Sequence, residues 1–206
     1  MSDFKPTSSN GAEGDLQTSE TERIWLSPPH IGPEELIGVS DVFDSNWVAP
    51  IGPELEAFEA ALSQTVDRAH AVCLTTGTAA IHLGLITLDV QPGDEVLVQD
   101  FTFCGSVNPV RYLGAEPVLI DSEPGTWNMC PHALREGIEE SIRRHGRPPK
   151  AIIPVHLYGM PARIGDILAV ASEYGVPVLE DAAEALGSRL STPAASGPCG
   201  SFGELS

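Results

Sequence analysis

Residues 151–181 read AIIPVHLYGMPARIGDILAVASEYGVPVLED. Two short apolar runs, Ala151–Val155 and Val176–Leu179, bracket an amphipathic stretch, Ile164–Tyr174. The runs are of strand length, and the stretch between them repeats its apolar residues at helical spacing. Gly175 follows as a helix stop. A strand, a crossover helix and a second strand in this order predict parallel pairing. Strands this apolar must be covered on both faces.

Upstream the same alternation recurs. Helices are predicted at Pro33–Asp44, Pro53–Val66, Thr78–Leu88, Ser106–Leu113 and Pro131–His145, the fourth loosened by Pro109 and the last closed by Gly146. Strands are predicted at Ala71–Thr75, Glu95–Gln99 and Pro117–Ile120, with Pro92-Gly93-Asp94 as a turn feeding the second. The expectation is an α/β chain with a three-layer α/β/α arrangement and a mostly parallel sheet. Residues 1–22 are polar, with almost no large apolar side chains, and read as a disordered leader. Residues 23–206 then form the ordered part. No internal repeat is visible.

The chain has 206 residues and a net charge of −18. Nucleic acid and anionic membranes, both negative, are disfavoured as partners. The N-terminus has neither a basic start nor an apolar stretch, so it does not read as a secretory signal, and a cytoplasmic location is expected. The cysteines, Cys73, Cys104, Cys130 and Cys199, form no CxxC pair, which argues against a zinc or disulfide framework. No metal site is expected, and Cys73 reads as a small core residue.

In parallel sheets, ligands bind beyond the carboxyl ends of the strands. Thr75-Thr76-Gly77-Thr78-Ala79-Ala80 joins a strand to a helix there. Gly77 permits a tight turn, and Thr78 and Ala79 would offer unpaired backbone N–H groups to a phosphate. Asp181, at another strand end, could pair with a cationic ligand atom such as a protonated pyridine nitrogen. Phe103 could stack on a flat heteroaromatic ring. His156 could polarise a ligand oxygen, and Tyr158 follows the same strand. Taken singly, each has an ordinary reading: a capped turn, a solvated acid, a loop aromatic, a structural histidine. Together, a phosphate cradle, a stacking ring and a ring-nitrogen acid are what pyridoxal 5'-phosphate requires. Neither GxGxxG nor a P-loop is present, which argues against a nucleotide-binding domain of the doubly wound kind.

The ordered series Ile24–His30, Gly77–Ala80, Pro92–Val96, Phe101–Phe103, Pro154–Pro161, Glu180–Ser188 and Gly200–Glu204 resembles the DegT/DnrJ-type sugar-nucleotide aminotransferases. The resemblance runs from about Ile24 to Ser206. It implies the large domain of the aspartate-aminotransferase type (fold type I), truncated before the C-terminal domain, and a homodimer. It implies that Gly77, Thr78 and Ala79 hold the phosphate, that Phe103 stacks on the ring and that Asp181 partners the pyridine nitrogen. Glu184 matches a polar position near cofactor or substrate. The implied reaction passes an amino group from a donor, usually L-glutamate, to a nucleotide-linked 4-keto-6-deoxy sugar, for glycan or polysaccharide biosynthesis.

The family's Schiff-base lysine follows a Gly-Phe-Gly-Asp-like motif, which here reads Gly200-Ser201-Phe202-Gly203-Glu204, two residues before the last. The two lysines, Lys5 and Lys150, stand far from that position. This chain is therefore expected to be poorly stable and inactive alone. Two alternatives stay open: a dehydratase with the same cofactor and a histidine in the lysine's place, or a non-catalytic remnant that acts as a dimerisation partner.

Overall fold

The structure, a computed structural model, describes residues 23–26 and 28–206. The expected leader, residues 1–22, and Ser27 lie outside the described residues. The chain divides into one unit ending at Val48 and another starting at Ala49. In the first, Glu34–Asp44 forms α1, close to the expected span. Pro33 precedes it without a capping hydrogen bond from its side chain, and Glu34 and Glu35 sit in its first turn, where the helix dipole favours acids.

The second unit contains α2 (Pro53–Thr65), α3 (Gly77–Thr87), β1 (Glu95–Gln99), α4 (Asn108–Tyr112), β2 (Glu116–Ile120), α5 (Pro131–His145), β3 (Ala151–Ile153), α6 (Ile164–Tyr174), β4 (Arg189–Ser191) and β5 (Ser196–Pro198). β2, β1 and β3 form a parallel sheet in that order. The run near 178 joins β3 only through single bridges, Ile152 to Val178 and Val155 to Asp181, and Leu179 bridges in turn to Leu205. All these segments run in one direction, so residues 100–103, 121–130, 154–160 and 181–184 follow carboxyl ends on one side.

The pleat sends alternate residues to opposite faces. Val96, Val98 and Ile153 pack with Ile81 and Leu85 of α3 and Val110 of α4. Leu97 and Ile152 pack with Leu134 and Ile138 of α5 and Ile164 and Ile167 of α6. These two cores give the three layers expected. Full burial of each such side chain contributes about 1.5–3 kcal/mol. Arg135 ties α5 to α6 through two bonds to Glu173, at 2.8 and 2.7 Å.

Three local expectations need correction. Residues 71–75 form no ladder, and Val72 stays exposed. The N–H of Cys73 donates to the Glu59 carboxylate at 2.7 Å instead, and Cys73 is only half-buried. Apolar composition cannot make a strand without a neighbour to take its backbone groups, and no described strand pairs here. Pro109 lies in the first turn of α4 and starts the helix rather than loosening its middle. The β4–β5 hairpin was not expected.

Candidate cofactor site

α3 begins at Gly77, one residue early, because Thr76 caps it. The Thr76 hydroxyl accepts from the Ala79 N–H at 3.0 Å. Ala79 is thus not the unpaired donor expected from the sequence. The N–H groups of Gly77 and Thr78 have no acceptor within the helix, and neither they nor the Thr78 hydroxyl has a partner among the described residues. The side of Gly77 where a Cβ would stand is open for at least 4 Å. Gly77 therefore provides space rather than an unusual backbone angle.

Phe103 is 75% exposed, so its ring is free to take a partner. A Cβ at Gly105 would stand 3.0 Å from the Phe103 ring and 3.1 Å from the Thr78 hydroxyl oxygen. The ring and the hydroxyl therefore flank the same glycine. Asp181 accepts the Ser106 hydroxyl at 2.6 Å, and Ser106 lies 2.8 Å from the Thr102 hydroxyl. Ser106 is buried, so this hydroxyl pair fixes one carboxylate oxygen from behind. A cavity of about 330 Å³ runs from Gly77 and Ala80 to Asp181, Ala182 and Ala183, with Leu179 and Glu180 also lining it.

His156 is fully buried, with both ring nitrogens engaged by the protein. Its Nδ1 accepts from the Ala162 N–H at 2.9 Å, and its Nε2 bonds Glu180. Its role is structural. Glu180 also accepts the N–H groups of Gly200, Phe202 and Gly203, at 3.1, 2.6 and 2.6 Å. Burial by itself would raise this carboxyl's pKa. The His156 bond and the Gly203 and Phe202 N–H groups outweigh burial and hold it below the usual range. Arg68 completes the clamp by donating to the carbonyls of Gly200 and Gly203. Gly203 fits because a Cβ there would stand 2.5 Å from the Val178 carbonyl oxygen. Cys199, beside this loop, has its thiol pushed up to about 11, first by burial and then by the Glu180 charge.

Glu184 is exposed and accepts the Tyr158 N–H at 2.6 Å. Two residues that sequence reading missed brace the strand ends. Buried Gln99 donates to the Phe101 carbonyl and to Asn128, and accepts from Met129. Buried Asn128 accepts from Leu157 and donates to the Met160 carbonyl. No signal in the sequence marks partners so far apart. Among the described residues, no group of His, Cys, Asp and Glu is arranged to hold a metal ion. No described helix is long and apolar enough to cross a membrane.

The sequence pattern of the DegT/DnrJ/EryC1/StrS aminotransferase family matches residues 29–206. The chain belongs to this family. Among its DegT-type relatives, EpsN of Bacillus subtilis is 48% identical over 185 residues, covering 90% of this chain and 47% of that protein. EpsN carries the provisional name of a pyridoxal phosphate-dependent aminotransferase. GDP-perosamine synthase of Caulobacter vibrioides is 36% identical, covering 89% of this chain and 48% of the relative. A crystal structure of a DegT/DnrJ/EryC1/StrS aminotransferase from Brucella abortus superposes with a TM-score of 0.75 at 34% identity, covering 82% of this chain and 44% of that one. The chain thus spans about half the length of the relatives it matches. It has the fold type I arrangement of DegT-type enzymes, whose cofactor is pyridoxal phosphate. The donor set fits that cofactor: two N–H groups and a hydroxyl without partners among the described residues at a helix N-terminus, an exposed ring, and a braced carboxylate, with Gly77 and Asp181 lining one cavity.

Proposed function

We propose that this chain is the cofactor-holding part of an aminotransferase acting on a nucleotide-linked 4-keto-6-deoxy sugar. The amino donor would be L-glutamate, the working form a homodimer and the product a building block for glycans or polysaccharides. The observation that carries the reading is the cavity joining the α3 N-terminus to Asp181. The relatives named for sugar and pyridoxal-phosphate chemistry support it.

Bound here, pyridoxal phosphate would supply an electron sink that lets an amino group leave one carbon and join another. The Gly77 and Thr78 N–H groups would hold its phosphate, with the α3 dipole favouring the negative charge. The Ala79 N–H, implicated by the resemblance, stays with Thr76. Phe103 would cover one face of the ring. Asp181 would accept the pyridine N–H and keep that nitrogen protonated, and Ser106 would orient the carboxylate. Glu184 would stand beside the reacting end. The same residues would serve a dehydratase, so the transamination reading rests on the relatives.

Lys150 precedes β3 and pairs with Asp89 at 3.4 Å, on the side away from Asp181. The 206-residue chain should therefore bind the cofactor reversibly and leave a keto sugar unchanged. Titration with pyridoxal phosphate, followed by absorbance, tests this. Saturable binding that dialysis removes and Asp181→Ala weakens is expected. Equal binding by the wild type and Asp181→Ala, or no saturable binding, would overturn the reading.

A further inference from the structure

Three exposed aromatic rings meet beside the cofactor site without a task in it. Phe101 follows β1, Trp127 lies in the loop after β2 and Tyr158 lies in the turn after β3. The Phe101 ring centre is 5.9 Å from that of Trp127 and 6.2 Å from that of Tyr158. Exposures are 40%, 62% and 55%. Water-exposed rings gathered from three separate loops form a patch that would favour a partner.

The patch is built, not incidental. Trp127 and Tyr158 hold φ of 65° and 52°, in the left-handed region that bulky residues avoid. Side chains or backbone hold each ring-bearing residue in place. Phe101 N–H donates to Asp100 at 2.6 Å, Trp127 N–H to the Glu123 carbonyl at 3.0 Å and Tyr158 N–H to Glu184 at 2.6 Å. The Gln99–Asn128 pair then ties the three loops together.

The chemistry of the border selects the occupant. Asp100, Asp121 and Glu184 are exposed, and each keeps one carboxylate oxygen without a partner among the described residues. These charges repel phosphate but accept hydroxyl donors. A pyranose has an apolar C–H face and a hydroxyl edge. It can lay the face on the rings and donate its hydroxyls to the carboxylates. We propose that Phe101, Trp127 and Tyr158 form a subsite for the hexose ring of a nucleotide-linked sugar, not for its base or phosphates. This rests on the sugar-aminotransferase reading and names the residues that would receive the acceptor.

Ligand-observed saturation-transfer NMR on the 206-residue chain tests it, with dTDP-glucose as the probe. The glucose protons should take up more saturation than the thymine protons. Trp127→Asn should weaken that signal about tenfold, and Tyr158→Asn should act in the same direction. Asparagine tolerates the left-handed backbone, so circular dichroism and thermal unfolding should match the wild type. Dominant thymine saturation, a signal indifferent to both variants, or no signal at all would overturn the proposal. So would a wild-type dimer, seen by sedimentation, that Trp127→Asn dissociates, because the rings would then face a second copy. A parallel pyridoxal phosphate titration separates the two readings. Cofactor binding without hexose saturation rejects the subsite alone. Absent cofactor binding rejects the aminotransferase reading.

Discussion

His156 Nε2 lies 2.9 Å from Glu180 Oε2, and neither side chain has any exposure. Because His156 Nδ1 accepts from Ala162, the proton sits on Nε2 and points at Glu180. The carboxylate then gathers three N–H groups from the 200–203 loop. An amide at position 180 cannot accept all four donors. Glu180→Gln should lower stability by about 3–5 kcal/mol, as losing one partner of a buried ionic cluster does. Urea unfolding measures it, and a loss below about 0.5 kcal/mol would show that the loop holds itself.

Glu180 shares its depressed acidity with Glu123. There the Thr126 hydroxyl, with help from the Gly125 and Thr126 N–H groups, outweighs burial. Both carboxyls start from a usual value of 4.5 and ionise more readily when folded. Their stabilisation is complete above that value and is lost as pH falls through the lower folded values. The double variant Glu123→Gln/Glu180→Gln should therefore lose less stability than the wild type between about pH 5 and about pH 2. Parallel curves from denaturant titrations across that range would count against both assignments.

Thr76 and Thr78 stand two residues apart and should fail differently. The Thr76 hydroxyl serves the helix, so Thr76→Ala should cost about 1 kcal/mol of stability. The Thr78 hydroxyl has no partner among the described residues, so Thr78→Val should leave stability nearly unchanged and weaken pyridoxal phosphate by about tenfold. Thermal melts and cofactor titrations on the same samples separate the two. A Thr78 variant that melts early but binds normally would reverse the assignment.

Ser106 should act through Asp181. Removing its 2.6 Å hydrogen bond by Ser106→Ala is expected to weaken the cofactor by about 1–1.5 kcal/mol. In an Asp181→Ala background the same change should do little. A double-mutant cycle reads this directly. Additive losses would mean that the hydroxyl works independently of the carboxylate.

The layered fold was legible because its signals are local. Pro131–His145 and Ile164–Tyr174 announce themselves by apolar spacing and end at Gly146 and Gly175, both left-handed in the structure. Residues 71–75 misled because a strand needs two paired segments, and composition reports only one. The β4–β5 pair was missed because Arg189–Pro198 carries too few apolar residues to alternate. Phe103 and Asp181 were visible as candidate types at strand ends, and the α3 turn as a candidate helix N-terminus. Arg68, Gln99, Ser106 and Asn128 were not, since each is placed by at least one partner 29 to 135 residues away. The fine accounting at Ala79 was also hidden, because it depends on which threonine turns its hydroxyl inward.

The Gln99–Asn128 brace has a consequence for how such a protein can diverge. Two buried amides hold the loops after β1, β2 and β3 to one another. A residue inserted in any one loop would pull an amide from its partners in the others, leaving buried polar groups unpaired at about 1–3 kcal/mol each. Changes in this rim are therefore coupled. A new ligand preference at this rim would be reached by exchanging side chains on a fixed frame, or by replacing all three loops together, and seldom by lengthening one of them alone.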